Sequence, residues 1–142
     1  MSKHCQYKAP FGVITYPIDA VYEQLLDTEL SEYFGGKRTC FSNALCDVVC
    51  HAMQQVATPF QQKVWKEMMR IPYGKTCTYG ELAKRISQPK AARAIGGACH
   101  NNPFLIIVPC HRVLSSHSMG GFALGLSVKQ ELLRLEQGTM CQ

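Results

Sequence analysis

Two helix-start signals, at Thr58 and Thr78, constrain the fold of this chain more than any other feature of its sequence. Thr58 is followed by Pro59 and then by Gln61, and Thr78 is followed three residues on by Glu81. A Thr with Gln or Glu three positions later is typical of a capping box, in which two side chains satisfy backbone N–H groups at a helix start. The sequence therefore predicts that helices begin just after both threonines.

Short helices follow from both signals. Apolar residues at helical spacing predict a core helix over residues 59–70, and they are Phe60, Val64, Trp65, Met68 and Met69. TYGELAKRI predicts a second helix, SQPK breaks it, and AARAIGGACH predicts a third helix made of small residues. Two short helices around a tight turn are typical of a helix-turn-helix. We further expect FLIIV to form a buried strand and SVKQELLRLEQG to form an amphipathic C-terminal helix.

The first part of the chain has a different pattern. APFGVITYP predicts one strand, and DAVYEQLLDTELSEYFGG and FSNALCDVVCHAMQQV predict two helices, the second starting near Ser42. The sequence therefore predicts an α/β (α+β) fold with two parts. Residues 1–57 would be a small N-terminal α/β domain, and residues 58–142 a mainly helical domain.

Charge is distributed unevenly between these parts. The net charge is +5, but residues 1–59 hold four Lys/Arg against six Asp/Glu, whereas residues 60–142 hold eleven against four. Seven bases and a single acid, Glu81, lie between Arg70 and Arg112 inclusive. Such a one-sided surface favours a polyanionic partner such as nucleic acid.

The composition excludes some classes of protein. No apolar run reaches the roughly 18 residues of a membrane span, and no signal-peptide pattern opens the chain, so we expect a cytoplasmic protein, or a nuclear one if eukaryotic. The eight cysteines are then expected to be mostly free thiols. A structural zinc site is the less favoured alternative to core packing for an N-terminal group comprising His4, Cys5, Cys40, Cys46, Cys50 and His51.

The segment IIVPCHRV places Cys110, His111 and Arg112 directly after an apolar run. A thiol is a good nucleophile only as thiolate, which a nearby base or cation favours. Adjacent residues of an extended strand point to opposite faces, so either the chain turns after Pro109 or a water joins the thiol to the imidazole. The alternative is a buried cysteine at a strand end beside a surface histidine.

Residues 58–136 resemble the catalytic domain of the O6-alkylguanine-DNA alkyltransferases, also called methylated-DNA–protein-cysteine methyltransferases. The resemblance runs in order through TPFQQKVWKEMMRIPYGKTCTYGELA, KAARAIGGACHNNP, IIVPCHRV and GLSVKQELLRLE. It implies an N-terminal part that is ribonuclease-H-like in a reduced form, and a winged-helix-like C-terminal domain.

The resemblance also implies single-use repair of DNA. Cys110 would take the alkyl group from O6-alkylguanine, and also from O4-alkylthymine, and keep it as a thioether. His111 would act through a water as the base, Glu136 would orient His111, and Asn102 would hold the turn that presents Cys110. From Glu136 alone, a solvated surface carboxylate is the alternative.

The family binds duplex DNA through the second helix of the helix-turn-helix and flips the damaged nucleotide. By resemblance, Arg93 would fill the vacated stack and Tyr79 would help rotate the nucleotide. The other expected DNA contacts are Ala92, Lys90, Thr78 and Arg112. The expected pocket residues are Val113, Phe122, Ala123, Leu124 and Cys99.

This chain departs from the family at several pocket positions. Phe122 replaces a frequent Tyr, Cys99 replaces an apolar residue, and Leu124 stands where some members have Gly, so bulky adducts such as benzyl are expected to fit poorly. The resemblance implies a monomer that acts on double-stranded DNA, with no cofactor, no metal and no membrane. The alternatives are a lesion-sensing or regulatory DNA-binding protein without repair activity and, more remotely, a Cys-His hydrolase.

Overall fold

Helices make up most of this protein, and its strands are few and short. The computed structural model describes residues 3–140, so Cys141 lies outside the described residues. In chain order the elements are β1 (Cys5–Ala9), β2 (Gly12–Tyr16), α1 (Glu23–Phe34), α2 (Asn43–Val56), α3 (Pro59–Met68), β3 (Cys77–Thr78), α4 (Tyr79–Arg85), α5 (Ala92–His100), β4 (Val113–Leu114) and α6 (Leu126–Met140). Single turns of 3-10 helix cover Ala20–Tyr22 and Cys110–Arg112. The mixed α/β class agrees with the prediction.

The chain begins with an antiparallel hairpin of β1 and β2, in which Cys5 pairs with Tyr16. The sequence led us to expect one strand, over residues 9–17, and β2 lies within that range. The expected number of strands was wrong, because residues 5–9 form a strand of their own. Their side chains alternate between buried and exposed, which is the period of a strand with one face on the core. The strand was missed because Gln6 and Lys8, which lie on its outer face, interrupt the apolar sequence.

The predicted helix starts are confirmed. Thr58 and Thr78 each form a complete capping box, with Gln61 and with Glu81 respectively. Ser42 caps α2 by accepting a hydrogen bond from the N–H of Leu45. These starts were predictable because a cap depends only on residues within one turn.

The segment FLIIV is buried but is not a strand, so that expectation was wrong. Ile106 has a φ of +76°, and the chain turns back so that the N–H of Val108 bonds the carbonyl of Phe104 at 2.8 Å. A left-handed backbone costs a residue with a Cβ roughly 1–2 kcal/mol, so tertiary contacts must impose this turn. One of them is the hydroxyl of Tyr16, which donates to the carbonyl of Leu105 at 2.8 Å.

The last helix, α6, continues to Met140. The predicted segment SVKQELLRLEQG would put Glu136 in the last turn of this helix, whereas Glu136 lies inside the helix and is fully buried. The buried residues Lys129, Leu132 and Glu136 follow each other at helical spacing on the face of α6 that meets the core.

Buried side chains from both sides of residue 58 form one hydrophobic cluster, which extends from Cys5 to Leu132. Trp65 on α3 also ties this cluster to α5, because its indole N–H donates to the carbonyl of Ala98 at 2.9 Å. The division at residues 57 and 58 stays a prediction. Within residues 3–140, no helix is both long enough and apolar enough to cross a bilayer.

Candidate active site

Cys110 begins the 3-10 turn that follows Pro109. Its N–H donates to the carbonyl of Val108, and the N–H of Arg112 donates to the carbonyl of Pro109. The chain therefore turns sharply at Cys110, which is the turn after Pro109 that the sequence offered as one possibility. Cys110 is 3% exposed and His111 is 0% exposed, so the surface histidine of the other alternative is excluded.

Asn102 braces the turn from inside. Its side-chain amide donates to the carbonyl of Val108 at 2.9 Å and to Cys110 Sγ at 3.3 Å, and its Oδ1 accepts from the N–H of Phe104 at 2.8 Å. One buried side chain thus bonds the start and end of the 104–108 turn as well as the thiol. The role of Asn102 in presenting Cys110 stays a prediction.

Glu136 is the centre of a buried network. Its Oε2 lies 2.6 Å from Nε2 of His111 and accepts from the hydroxyl of Tyr33 at 2.7 Å. Its Oε1 accepts from the N–H of Gly74 at 3.2 Å. The guanidinium of Arg112 spans both oxygens, with Nε at 2.8 Å from Oε1 and Nη2 at 3.0 Å from Oε2. The carboxylate is therefore a fixed acceptor for His111, and it is not the solvated surface group of the alternative.

The expected DNA contact of Arg112 does not fit this structure. Besides its two bonds to Glu136, the guanidinium donates through Nη1 to the carbonyl of Ile71 at 2.8 Å and lies over the ring of Tyr73. Arg112 is 7% exposed. Arg112 neutralises the buried carboxylate of Glu136. The sequence did not reveal this, because Arg112 follows a run of basic residues that are mostly at the surface.

Burial and charge set the protonation states of the site. Burial raises the pKa of the Cys110 thiol to about 11, although the bond from Asn102 and the charge of Lys129 lower it in part. Burial lowers the pKa of His111, opposed by Glu136, so the imidazole is neutral near pH 7. Burial alone would raise the pKa of Glu136, but its bonds to His111 and Arg112 outweigh burial and bring it to about 2. The resting state thus pairs a protonated thiol with a neutral base and a carboxylate.

His111 and Cys110 do not hydrogen-bond each other directly. Nε2 of His111 is held by Glu136, and Nδ1 is buried without a hydrogen-bond partner in the described part of the chain. A buried polar atom of this kind is uncommon in a native protein. Nδ1 is therefore the atom of this imidazole that is left to accept a proton.

Lys129 is a site residue that sequence reasoning missed. Its ammonium is buried and donates to the carbonyls of Val113 at 2.6 Å and Gly121 at 2.9 Å, and its charge lowers the pKa of Cys110. Its own pKa is lowered by burial. The sequence does contain an indication of this role, because a charged residue on the apolar face of an amphipathic helix needs a buried partner. Glu136 lies on the same face two turns later.

A small cavity of about 50 Å³ adjoins the thiol; its lining residues are Tyr79, Gly96, Cys99, His100, Cys110, Gly121 and Phe122. Four of these also line an open groove of about 630 Å³ that reaches Thr78, Ala92 and Arg93. Gly120, at φ +72°, lies against the ring of Tyr79, and a Cβ there would be 3.0 Å from the hydroxyl. The cavity beside Cys110 therefore adjoins the groove at Tyr79 and the other residues that line both.

Residues 59–138 match the family described as 6-O-methylguanine DNA methyltransferase, DNA binding domain. A methylated-DNA–protein-cysteine methyltransferase of Haemophilus influenzae is 46% identical over 74% of this chain and 55% of its own length. One of Methanosarcina mazei is 44% identical over 81% of this chain and 68% of its own length. The chain belongs to the methylated-DNA–protein-cysteine methyltransferase family.

A solved structure of a family member agrees over nearly the whole chain. Mycobacterium tuberculosis OGT in complex with DNA superposes with a TM-score of 0.79 at 31% identity, covering 96% of this chain and 93% of that one. The O6-methylguanine methyltransferase of the same organism superposes with a TM-score of 0.77. The N-terminal part of this chain therefore has a counterpart in the Mycobacterium tuberculosis protein. In contrast, the match to the Haemophilus relative spans little more than half of that protein's own length.

Most of the expected DNA contacts lie at the groove. Arg93 is exposed near the start of α5, Lys90 is exposed just before it, and Ala92 is half-buried. Thr78 is half-buried with its hydroxyl engaged in the capping box. Thr78, Tyr79, Ala92 and Arg93 line the groove. Lys90 lies outside this lining, in a separate surface depression formed by residues 88–91, and Arg112 does not line the groove either.

The expected pocket residues divide into two groups. Phe122 and Cys99 line the cavity, and the ring of Phe122 is 6.5 Å from that of His111. Val113 is buried with its carbonyl bonded to Lys129, whereas Ala123 and Leu124 are exposed and lie outside the cavity lining. Burial raises the pKa of the Cys99 thiol to about 12, so Cys99 is a poor competing nucleophile.

The N-terminal cysteines and histidines are not arranged as a metal site. Within residues 3–140, no group of three or more His, Cys, Asp or Glu side chains is placed to hold a metal ion. Cys5 is buried and its thiol bonds the carbonyls of Ile18 and Asp19. All seven described cysteines are free thiols, as the sequence predicted.

Proposed function

We propose that this protein repairs alkylated DNA by moving the alkyl group of O6-alkylguanine, and of O4-alkylthymine, irreversibly onto Cys110. The observation that supports this best is the buried set of Asn102, Cys110, His111 and Glu136 at the inner end of the groove beside α5. Family membership supports the same reaction.

Activation of the thiol follows from the protonation states. Because burial keeps Cys110 protonated near pH 7, it needs a base as the reaction begins. Neutral His111 accepts the proton at Nδ1 through a water, and Glu136 stabilises the imidazolium from Nε2. The charge of Lys129 and the amide of Asn102 favour the thiolate that remains. These are the elements of an activated nucleophile: a base next to it and a third group that orients the base.

The transfer itself is a displacement at carbon. The thiolate attacks the alkyl carbon, an S–C bond forms, and the C–O6 bond breaks with its electron pair left on guanine. Guanine takes up one proton, which balances the proton lost by the thiol. The product thioether has no leaving group that water can displace under these conditions, so each molecule reacts once.

Access to the base requires that the nucleotide leave the duplex. The groove holds Arg93 at its rim and Tyr79 at the opening to Cys110, which suits a residue that replaces the flipped base and one that guides it. Lys90, Ala92 and Thr78 would contact the DNA backbone, which positions the protein without reading sequence. Phe122 and Cys99 would contact the base, and Val113 and Ala123 would offer backbone atoms to it. Leu124, which is exposed and outside the cavity lining, would limit only adducts large enough to extend out of the cavity.

The finer architecture belongs to the same proposal. Residues 1–57 would form a reduced ribonuclease-H-like domain, which the β1–β2 hairpin followed by α1 supports. Residues 58–142 would form a winged-helix-like domain, supported by the parallel β3–β4 pair beside α4 and α5. The reaction as written uses no cofactor, and a monomer in the cytoplasm, or in the nucleus of a eukaryote, suffices for it.

Mass spectrometry tests the function directly. The protein is incubated with a duplex that carries O6-methylguanine, and intact mass and peptide masses are followed. A single methyl group on the Cys110 peptide, saturating at one equivalent, is expected, whereas Cys110→Ala should bind the duplex and gain nothing. Tight lesion binding without an adduct would identify a sensor, and turnover with an unmodified thiol would identify a hydrolase. In every DNA-binding case the affinity should fall steeply as salt rises.

A further inference from the structure

The hydroxyl of Tyr33 connects the N-terminal part of the chain to the catalytic network. Tyr33 lies on α1, is 1% exposed, and donates to Oε2 of Glu136 at 2.7 Å across 103 positions of the chain. Its ring is held by Phe34, Phe41 and Tyr73, with centroids 5.1, 5.8 and 6.1 Å away. The hydroxyl therefore has little freedom to leave the carboxylate.

Oε2 is the oxygen that serves His111. Three donors share it: Nε2 of His111, the hydroxyl of Tyr33 and Nη2 of Arg112. The other described donors to this carboxylate come from residues after 58, so Tyr33 is the contribution of the N-terminal part. A donor that shares an oxygen withdraws part of the negative charge that the oxygen offers to its other partners.

We propose that Tyr33 is a positioning residue for alkyl transfer: by sharing Oε2 it keeps Glu136 from over-stabilising protonated His111, so that the imidazole stays a free base. The expected effect on alkyl transfer rests on the proposed function, whereas the contacts among Tyr33, Glu136 and His111 do not. Burial and the charge of Glu136 raise the pKa of Tyr33, so the phenol stays protonated and remains the donor across the working range.

The other charges that face His111 do not depend on Tyr33. Arg112, from the same turn, and Lys129, from α6, both lower the pKa of His111, and Glu136 raises it. Removing the phenol hydroxyl leaves both cations in place and frees Oε2 for the imidazolium. The pKa of His111 should therefore rise, and because the protonated ring cannot act as a base, activity should be lost at a higher pH than in the wild type.

The rate–pH profile of single-turnover methyl transfer tests this. In Tyr33→Phe the acid limb should move upward by about one pH unit, the change expected for a lost hydrogen bond to a charged group. On that limb the rate should fall by close to tenfold, while the plateau at high pH should stay within about twofold. Affinity for the lesion duplex should not change. A loss that is equal at every pH would show that Tyr33 only packs, and would overturn the proposal.

Tyr7→Phe is the matched control. Tyr7 is also buried, and its hydroxyl lies 3.3 Å from Oγ of Ser31 on α1, without contact to Glu136. It therefore removes a phenol hydroxyl that packs against the same helix and should leave the profile unchanged. A shift of equal size in this variant would also count against the proposal.

NMR titration of the His111 imidazole nitrogens separates the inference from the proposed function. The midpoint should lie about one unit higher in Tyr33→Phe than in the wild type, whether or not the protein transfers alkyl groups. If the wild type transfers nothing but the midpoint shifts, the repair proposal fails and the Tyr33 effect stands. An unchanged midpoint ends the Tyr33 proposal even if repair is normal. Should the variant not fold, NMR of the wild type still tests the proposal. A Tyr33 hydroxyl proton that exchanges freely with water, or that is not close to His111, would overturn it.

Discussion

Nε2 of His111 lies 2.6 Å from Oε2 of Glu136, and both side chains are completely buried. The pair does not stand alone, because Arg112 supplies the compensating charge from 2.8 Å. A buried carboxylate with this many donors stays ionised, and its removal leaves several buried groups without partners.

Glu136→Gln should therefore destabilise the protein and slow the reaction. The change leaves the charge of Arg112 buried and unpaired, which costs about 3–5 kcal/mol in the free energy of unfolding. Urea denaturation measures this loss. Glu131→Gln is the control on the same helix, since Glu131 pairs with Arg134 at the surface and should change stability by less than about 1 kcal/mol. Equal losses in the two variants would mean that the buried network contributes little.

The same carboxylate should make the protein sensitive to acid. Its pKa is lowered to about 2 in the folded state from an ordinary value of 4.5, so the unfolded chain binds the proton first as the pH falls. The stability that Glu136 contributes is complete above about pH 4.5 and is lost as the pH falls toward 2. Denaturation midpoints measured across this window should fall less steeply for Glu136→Gln than for the wild type. Parallel curves would contradict the assignment.

Arg93→Ala should impair repair of duplex DNA more than reaction with free O6-methylguanine base. The side chain is exposed at the groove and is needed only where a flipped nucleotide leaves a gap. Single-turnover rates on the two substrates give the comparison. Arg134→Ala removes the same charge from a surface pair on α6 and should spare both rates. Equal losses on both substrates would exclude the role in base replacement.

Gly96 and Gly97 offer a test of the cavity. A Cβ at either glycine meets nothing within 4 Å, so Ala should stabilise α5 by roughly 0.5–1 kcal/mol in both cases. Only Gly96 lines the cavity beside Cys110, so Gly96→Ala should also slow alkyl transfer from the free base, by about 5- to 150-fold if crowding costs 1–3 kcal/mol. Gly97→Ala should react normally. Similar rates for both variants would mean that the alkyl group does not occupy the cavity beside Gly96.

Local chemistry explains what could be predicted from the sequence. Capping at Thr58 and Thr78 depends on residues three positions apart, and PCHRV carries the family resemblance within five residues. The turn at Ile106 was missed because a β-branched residue at positive φ has no local reason to be there, and the contacts of Tyr16 and Asn102 impose it. The hydroxyl of Tyr33 was missed because no local pattern connects residues 103 positions apart.

The burial of Cys110 has a consequence for the fate of the protein in a cell. A thiol that is 3% exposed and has a pKa raised to about 11 is nearly inert toward dissolved electrophiles. A catalyst that turns over tolerates an occasional wasteful encounter, but a protein that reacts once does not. Under the proposed function, seclusion of Cys110 therefore reserves each copy for a lesion delivered through the groove. Stray alkylating agents and oxidants should consume the more accessible Cys40 long before they reach Cys110.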